Sequence, residues 1–372
     1  MNVSIIGVKG YPIVYGGYET LVHSLVEKWR RYDIKIAVYC HSSMFNQQPT
    51  IINGVKLIYL PAIEKKSLSQ LTHSFISTIH ACFSRADIIF YVNVANAPFG
   101  FIPRLFGKKT VINVDGLEWL RPKWKGLGSF YFKICARLVK FSFHGVITDA
   151  SEMQRLYKEK FNTSSTVLTY GAKHPTRYFP ELLNQFNLVA NDYYLVVGRM
   201  IPDNNLDLIV DAYLQSNSSK KLVIIGDDIF KDQFALTIQQ KIQGNQSIVL
   251  TGYINNHDHL CTFYHNCFAY IHGHEFGGTN PTMVNALNEN CFILALHTPF
   301  TQEMLDDGRN GLFFQKKSIE LVLLFEAVEK EEYQEEINNF RQKGRARVEA
   351  HYQWDSIAEG YHKLFKKLLN KV

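Results

Sequence analysis

The chain has no Cys-x-x-Cys pair, no Gly-x-Gly-x-x-Gly fingerprint and no unbroken apolar run of membrane-spanning length. The six cysteines (Cys40, Cys82, Cys135, Cys261, Cys267, Cys291) are scattered, most of them in apolar runs. That distribution fits reduced core thiols better than a disulfide frame or a zinc site. Crossing a bilayer takes roughly 20 consecutive apolar residues, so any membrane contact is expected to be peripheral. The opening MNVSIIGVKG has no basic leader, long apolar segment or cleavage site and reads as a first strand rather than a signal peptide. The missing glycine spacing speaks against a nicotinamide oxidoreductase.

The 372 residues are 46% hydrophobic and 20% charged, a balance that supports two well-packed domains and argues against disorder. A net charge of +6 hides an asymmetry. Up to Pro180 there are 23 Lys and Arg against 10 Asp and Glu, and beyond it 17 against 24. A basic first half points to an anionic partner, or simply to a solvated basic face. No nucleic-acid motif accompanies it.

The richest stretch is Ala269 to Glu289, AYIHGHEFGGTNPTMVNALNE. An apolar run ends at Ile271, a loop carries His272, His274, Glu275, Gly277 and Gly278, and Pro281 opens a helix. Glycines let a loop backbone approach a ligand, and the unpaired N–H groups of a helix start attract an anion such as a phosphate. Pro281 suits a first helical turn, where its missing N–H costs nothing. An ordinary strand-to-helix turn also favours Gly, Thr, Asn and Pro, but two histidines and a carboxylate beside adjacent glycines favour a site.

Taken in order, short buried strands alternate with helices in both halves. Strands are expected at Val3–Gly7, Ile34–Cys40, Val55–Leu60, Ile88–Val92, Val111–Val114, Val146–Thr148 and Thr166–Tyr170, and again at Tyr193–Val197, Lys221–Ile225, Ile248–Thr251, Cys267–Ile271, Phe292–Ala295 and Leu312–Phe314. Such alternation predicts parallel sheets covered by helices, with ligands at the carboxyl ends of the strands. At those ends lie Gly16 and Gly17 before a helix, with Glu19 in its first turn; Asp115 and Glu118; Arg199; and Tyr253. A carboxylate such as Asp115 can act as a base or bind a substrate hydroxyl, and equally can cap the next element. Arg199 suits a diphosphate because its charge does not titrate away. Between Arg121 and Lys140 basic and aromatic residues interleave, a pattern that fits both an anionic membrane surface and a core helix with a wet basic face. The Asn-rich stretch Asn184–Asn191 reads as the linker, and Tyr352–Leu369 as an amphipathic helix.

Three motifs carry a resemblance to the GT-B glycosyltransferases of family GT4, in a rhamnosyltransferase-like branch marked by the DUF1972 domain. They are Gly7-Val8-Lys9-Gly10-Tyr11-Pro12 with Tyr15-Gly16-Gly17-Tyr18-Glu19-Thr20; Asn113-Val114-Asp115-Gly116-Leu117-Glu118-Trp119; and His272-Gly273-His274-Glu275 with Gly277-Gly278-Thr279-Asn280-Pro281. The resemblance implies an α/β GT-B fold, two Rossmann-like domains with parallel sheets facing across a cleft. Residues 1–180 would bind the acceptor, 190–352 the sugar nucleotide, and 353–372 would form a helix crossing back to the first domain.

It further implies a hexosyltransferase that retains anomeric configuration and needs no metal or other cofactor. Its donor would be a dTDP- or UDP-linked sugar, rhamnose by preference, and its acceptor a polyprenyl-diphosphate-linked saccharide for cell-surface polysaccharide. The enzyme would then work peripherally on the cytoplasmic face of the membrane, held there by its basic domain. Arg199, Glu275 and Asp115 would be the catalytic residues. Gly16, Gly17, Arg199, Tyr253, Glu275, Gly277, Gly278, Thr279, Asn280 and Asn285 would bind the donor, and Tyr15, Glu19, Asp115, Glu118 and Trp119 the acceptor. Relatives commonly carry a glutamate where Asn285 stands, and many have a lysine near Asn204-Asn205. The Asn285 departure leaves a second reading open, a non-catalytic scaffold that binds a nucleotide sugar or a glycan lipid.

Overall fold

The computed structural model describes residues 1–12, 16–65, 68–122, 124–226 and 233–370. The chain divides into two compact units, Met1–Tyr170 with Trp354–Val372, and Gly171–Gln353.

The first unit holds eight strands: β1 (Asn2–Ile6), β2 (Lys35–His41), β3 (Ile51–Ile52), β4 (Val55–Leu60), β5 (Ile88–Val92), β6 (Lys109–Val114), β7 (Gly145–Thr148) and β8 (Thr166–Val167). Their order is β3-β4-β2-β1-β5-β6-β7-β8, parallel throughout except that β3 runs antiparallel to β4. The central strand β5, IIFYV, is buried at every position, as a strand covered on both faces must be. One cover is the helix Gly17–Trp29, which turns Leu21, Val22, Leu25, Val26 and Trp29 inward. Beside it lies the helix Trp354–Leu368, whose Ile357, Tyr361 and Phe365 enter the same core. The Trp29 indole donates to the Ala358 carbonyl at 3.1 Å, and Asp355 pairs with Lys28 at 3.1 Å and Arg31 at 2.7 Å.

The second unit holds β9 (Tyr193–Val197), β10 (Lys221–Ile225), β11 (Ile248–Gly252), β12 (Ala269–His272), β13 (Ile293–Leu296) and β14 (Leu312–Phe314). All pair in parallel, in the order β11-β10-β9-β12-β13-β14. The chain therefore winds outward in one direction from β9 and then returns to start the other half at β12. In a doubly wound sheet that reversal leaves a crevice at the carboxyl ends of the two central strands. Here those ends are Gly198-Arg199 and His272-Gly273.

The sequence reading differs from the structure in three places. Residues 171–180 belong to the second unit. The Thr176 amide donates to Asp258 at 3.1 Å, the Phe179 amide to Thr262 at 3.0 Å and the Ala172 amide to the Tyr352 carbonyl at 2.8 Å. The stretch Asn184–Asn191 is packed and is not a linker. Leu183 and Leu188 are buried on either side of a tight turn, and Asn187 and Asn191 take positive φ values of 51° and 60°. Asparagine tolerates that backbone region better than most residues. Finally, β8 ends at Val167 rather than Tyr170, and Tyr170 is used elsewhere.

Candidate functional site

In the first unit, Asp115 follows the end of β6 and is half-buried. The Tyr170 hydroxyl donates to its Oδ2 at 2.9 Å. Burial pushes the Asp115 carboxyl above the ordinary carboxylate value, and the Tyr18 hydroxyl, the Arg121 charge and the Tyr170 hydrogen bond oppose that push. Tyr170 is itself held well above the usual phenol value, first by burial and then by the negative charge of Asp115. A side chain at Gly17 would stand 3.5 Å from the Tyr170 hydroxyl. Tyr170 thus joins Asp115 to the start of the helix Gly17–Trp29. That helix start has no side-chain cap, and Gly16 before it has φ 120°. A Cβ at Gly16 would lie 2.7 Å from Glu19 Oε2, a side-chain end that can shift, so it is the positive φ that restricts the position to glycine.

The other residues expected around the acceptor are placed differently from one another. Glu19 is buried and accepts the Lys9 amide at 3.2 Å, tying the loop after β1 to the helix. Glu118 pairs with Arg121 at 2.9 Å and accepts the Trp124 indole at 2.8 Å. Trp119 is buried edge-on against Phe161, with centroids 5.3 Å apart, so it serves the core. Tyr15 lies outside the described residues.

In the second unit, three glycines bring strand ends together. A Cβ at Gly226 would meet the Gly198 carbonyl oxygen at 1.9 Å, one at Gly273 would meet the Asn204 oxygen at 2.4 Å, and one at Gly198 would meet His274 Nε2 at 2.8 Å. The end of β10 is thus pressed against the backbone at the end of β9, and the end of β12 against the backbone of the loop that follows β9. Arg199 leaves this floor with its side chain exposed. Its carbonyl accepts from Asn204 Nδ2 at 2.7 Å.

The loop after β12 is anchored from both sides. Asn205 Nδ2 donates to the Gly273 carbonyl at 2.8 Å, and the Glu275 backbone amide to the Asp203 carbonyl at 3.0 Å. His272 is buried, stacked on His274 at 4.5 Å, and 3.0 Å from the Tyr270 hydroxyl; burial, then the neighbouring His274, holds it well below the usual imidazole value. Its surroundings therefore favour the neutral imidazole. The Glu275 carboxylate is half-buried, 2.5 Å from Lys316 Nζ and 3.4 Å from Asn205 Nδ2. Asn280 caps the helix Pro281–Asn288 by accepting the Thr282 amide at 3.0 Å, with Pro281 in the first turn.

The space behind this loop, lined by His272, Gly278 and Thr301 among others, measures about 10 Å³, room for no more than a water. Gly277 has φ 149° and nothing within 4 Å of where a Cβ would be, so the open side of the loop is the outer one. Thr279 is buried and Asn285 half-buried on the following helix. A depression of about 390 Å³ lies at the ends of β10 and β11, lined by Met200, Gly226, Ile242, Leu250 and Gly252. Tyr253 follows Gly252, is 48% exposed, and has its phenol pushed up by burial of the remainder. Lys316 and Asn205 were not anticipated, although Lys316 stands just past the end of β14, where the strand-end rule would have found it.

Among the described residues no group of three or more His, Cys, Asp or Glu side chains is placed to hold a metal ion, and no helix is long and apolar enough to cross a membrane.

Residues 181–347 match the family described as glycosyl transferases group 1, and residues 1–62 match DUF1972, a domain of unknown function. A curated relative is the N-acetylgalactosamine-N,N'-diacetylbacillosaminyl-diphospho-undecaprenol 4-alpha-N-acetylgalactosaminyltransferase of Campylobacter jejuni. It is 25% identical over 131 residues, which span 34% of this chain and 34% of that protein. Among solved structures, sucrose-phosphate synthase from Thermosynechococcus elongatus superimposes with a TM-score of 0.83 at 14% identity, covering 100% of both chains. HepE of Anabaena, solved with UDP-glucose, gives 0.76 at 15% identity, again over 100% of both. The chain therefore has the GT-B fold, with the match to glycosyl transferases group 1 covering most of its second unit and the match to DUF1972 covering its first 62 residues.

Proposed function

We propose that the protein is a hexosyltransferase that moves one sugar from a dTDP- or UDP-linked donor onto a polyprenyl-diphosphate-linked saccharide, with retention of configuration and without a metal ion. The observation that carries this reading is the second unit's switch point, where Arg199, the glycine loop and the helix start at Pro281 converge within a group 1 glycosyl transferase domain. A lipid-linked acceptor is supported by the Campylobacter relative, whose name gives a diphospho-undecaprenol substrate, and a UDP donor by the HepE complexes.

In the reaction the bond from the sugar's anomeric carbon to the diphosphate breaks, and a bond from that carbon to an acceptor oxygen forms. The acceptor hydroxyl gives up its proton to the leaving phosphate oxygen or to solvent, and the nucleoside diphosphate departs with one more unit of negative charge than it held in the donor, which has to be stabilised. Arg199 and the N–H groups at Pro281–Asn288 supply fixed positive charge for that purpose. Glu275, its carboxylate held by Lys316, orients the donor sugar through its hydroxyls. Asp115, whose raised proton affinity suits a hydrogen-bond acceptor to a hydroxyl, takes up the acceptor. Rhamnose is the preferred sugar, and the work is placed on the inner face of the cell membrane.

The test is release of nucleoside diphosphate from dTDP-rhamnose, UDP-glucose, UDP-N-acetylglucosamine, UDP-N-acetylgalactosamine and GDP-mannose, with and without a short polyprenyl-diphosphate saccharide. Acceptor-dependent release from one donor establishes the transferase and names its sugar. Release from none, with UDP still raising the melting temperature, would replace this reading with a binding scaffold.

A further inference from the structure

The helix Ser69–Cys82 is inside out. Its buried side is mostly polar, with His73, Ser74, Ser77 and Thr78 all at 0% exposure beside the small Ala81 and Cys82, while Phe75, Ile76 and Ile79 are exposed. Phe83, which caps it, is 76% exposed. An isolated exposed phenylalanine is unremarkable, but a helix that turns its three largest apolar side chains after Leu71 outward is not explained by the core it covers.

The exposed side continues onto neighbouring elements. Phe83 meets Phe106 edge to face at 5.1 Å, and Phe75 meets Phe99 at 5.8 Å. Leu105, closing the helix Phe101–Leu105, is 70% exposed. Arg104 of that helix donates to the Phe141 carbonyl, which brings in the helix Leu127–Ser142. There Leu127, Ile134 and Phe141 recur every seven residues along one outer stripe, with Leu127 87% and Phe141 63% exposed. The inward side of this helix, Phe132, Cys135, Ala136 and Val139, is fully used by the core.

Charge selects the occupant. None of the three helices contains an Asp or Glu, while Arg104, Lys133, Arg137 and Lys140 lie on them. Lys140 Nζ stands 4.8 Å over the Phe141 ring, and Lys108 Nζ reaches the Ser84 carbonyl at 2.8 Å beside Phe83. Cations set among exposed aromatics match an interface with apolar chains below and anionic headgroups above. We infer that the outer faces of the helices Ser69–Cys82, Phe101–Leu105 and Leu127–Ser142 dock the protein onto an anionic phospholipid bilayer. Phe83, Leu105 and Phe141 enter the headgroup boundary, and Arg104, Arg137 and Lys140 hold phosphates around them. This face deepens the reading of a lipid-linked acceptor by naming the surface that meets the membrane, and it is tested without donor or acceptor, so the two readings fail separately.

The experiment is co-sedimentation of the full chain with vesicles of phosphatidylcholine alone or mixed with phosphatidylglycerol. The wild-type protein should bind the mixed vesicles and be released by salt. Phe83→Ser with Leu105→Ser should weaken binding about tenfold or more, since each side chain otherwise leaves water. Arg137→Gln or Lys140→Gln should each weaken it about fivefold at low salt. All four side chains are exposed, so melting temperatures should not change, and a variant that keeps the wild-type melting temperature has not failed by unfolding. Unchanged vesicle binding by the apolar double variant would overturn the inference. So would equal binding to both vesicle types, or a wild-type dimer that the double variant converts to monomer, which would assign the face to a second copy of the chain.

Discussion

Replacing Gly226 by alanine tests whether the floor of the second unit is built as described. The new Cβ would sit 1.9 Å from the Gly198 carbonyl oxygen, where real Cβ contacts essentially never fall below 3.0 Å. Both groups are backbone, so no side chain can swing away, and the ends of β9 and β10 must part by roughly 1 Å. The nearby bonds from the Gly198 amide to Ile225 at 3.0 Å and from the Gly226 amide to Gly252 at 3.1 Å lie in the path of that movement. Overpacking costs about 1–3 kcal/mol and a lost backbone bond about 1 kcal/mol more. A total near 3 kcal/mol should lower the second unit's melting temperature by about 10 °C. Because Gly226 also lines the depression with Met200 and Gly252, UDP affinity measured by calorimetry should fall with it. Gly277→Ala is the contrast. Nothing lies near its Cβ, but φ of 149° strains any other residue, so it should weaken UDP binding with a smaller fall in melting temperature than Gly226→Ala gives. Wild-type melting and UDP affinity for Gly226→Ala would refute the close approach of the two strand ends.

Arg199→Ala should cut diphosphate release at least a hundredfold while leaving the circular dichroism spectrum and melting temperature unchanged, and Arg199→Lys should recover only part of the rate; full activity in the alanine variant would remove Arg199 from the chemistry. Asn285→Glu should tighten UDP binding several-fold in a calorimetric titration if the helix position meets the ribose, since a charged acceptor bonds a hydroxyl more strongly than an amide does; unchanged affinity would place the ribose elsewhere. His41 and His73 stack at 3.8 Å, and burial lowers each to about 4. The unfolded chain therefore binds their protons first as pH falls, so the first unit should lose stability between about pH 6.5 and 4, and His73→Phe should flatten that slope in urea titrations across the range.

The glycine loop was legible because its signals are local: an apolar run, adjacent glycines and Pro281 lie within a dozen residues and become β12, a loop and a capped helix. The parallel sheets followed from alternation alone. What the sequence could not supply was direction. Trp119 follows Asp115 by four residues yet turns inward onto Phe161, because the loop after β6 gives way to a tight turn at Glu118–Leu120 whose side chains take their own directions. The helix Ser69–Cys82 has a clear amphipathic period, but periodicity does not say which face is inside, and here the core took His73, Ser74, Ser77 and Thr78. Lys316 comes long after Glu275 in the chain, and only the parallel order β12-β13-β14 brings them within 2.5 Å. The asparagines at 187 and 191 looked like linker composition because turn residues and linker residues share a vocabulary.

The helix Trp354–Leu368 has a bearing on synthesis. The first unit's core needs Tyr361 and Phe365 against Trp29 and Phe90, with ring centroids of 5.5 Å in the pairs Trp29–Phe365 and Phe90–Tyr361. Those two residues leave the ribosome only after the whole of Gly171–Gln353 has done so. The second unit is continuous and can fold as soon as it emerges, whereas the first, although begun earlier, waits with Trp29 uncovered until the returning helix arrives. Until Trp354–Leu368 clears the ribosome, the chain therefore carries a continuous second unit free to fold and a first unit whose open face is a target for chaperones.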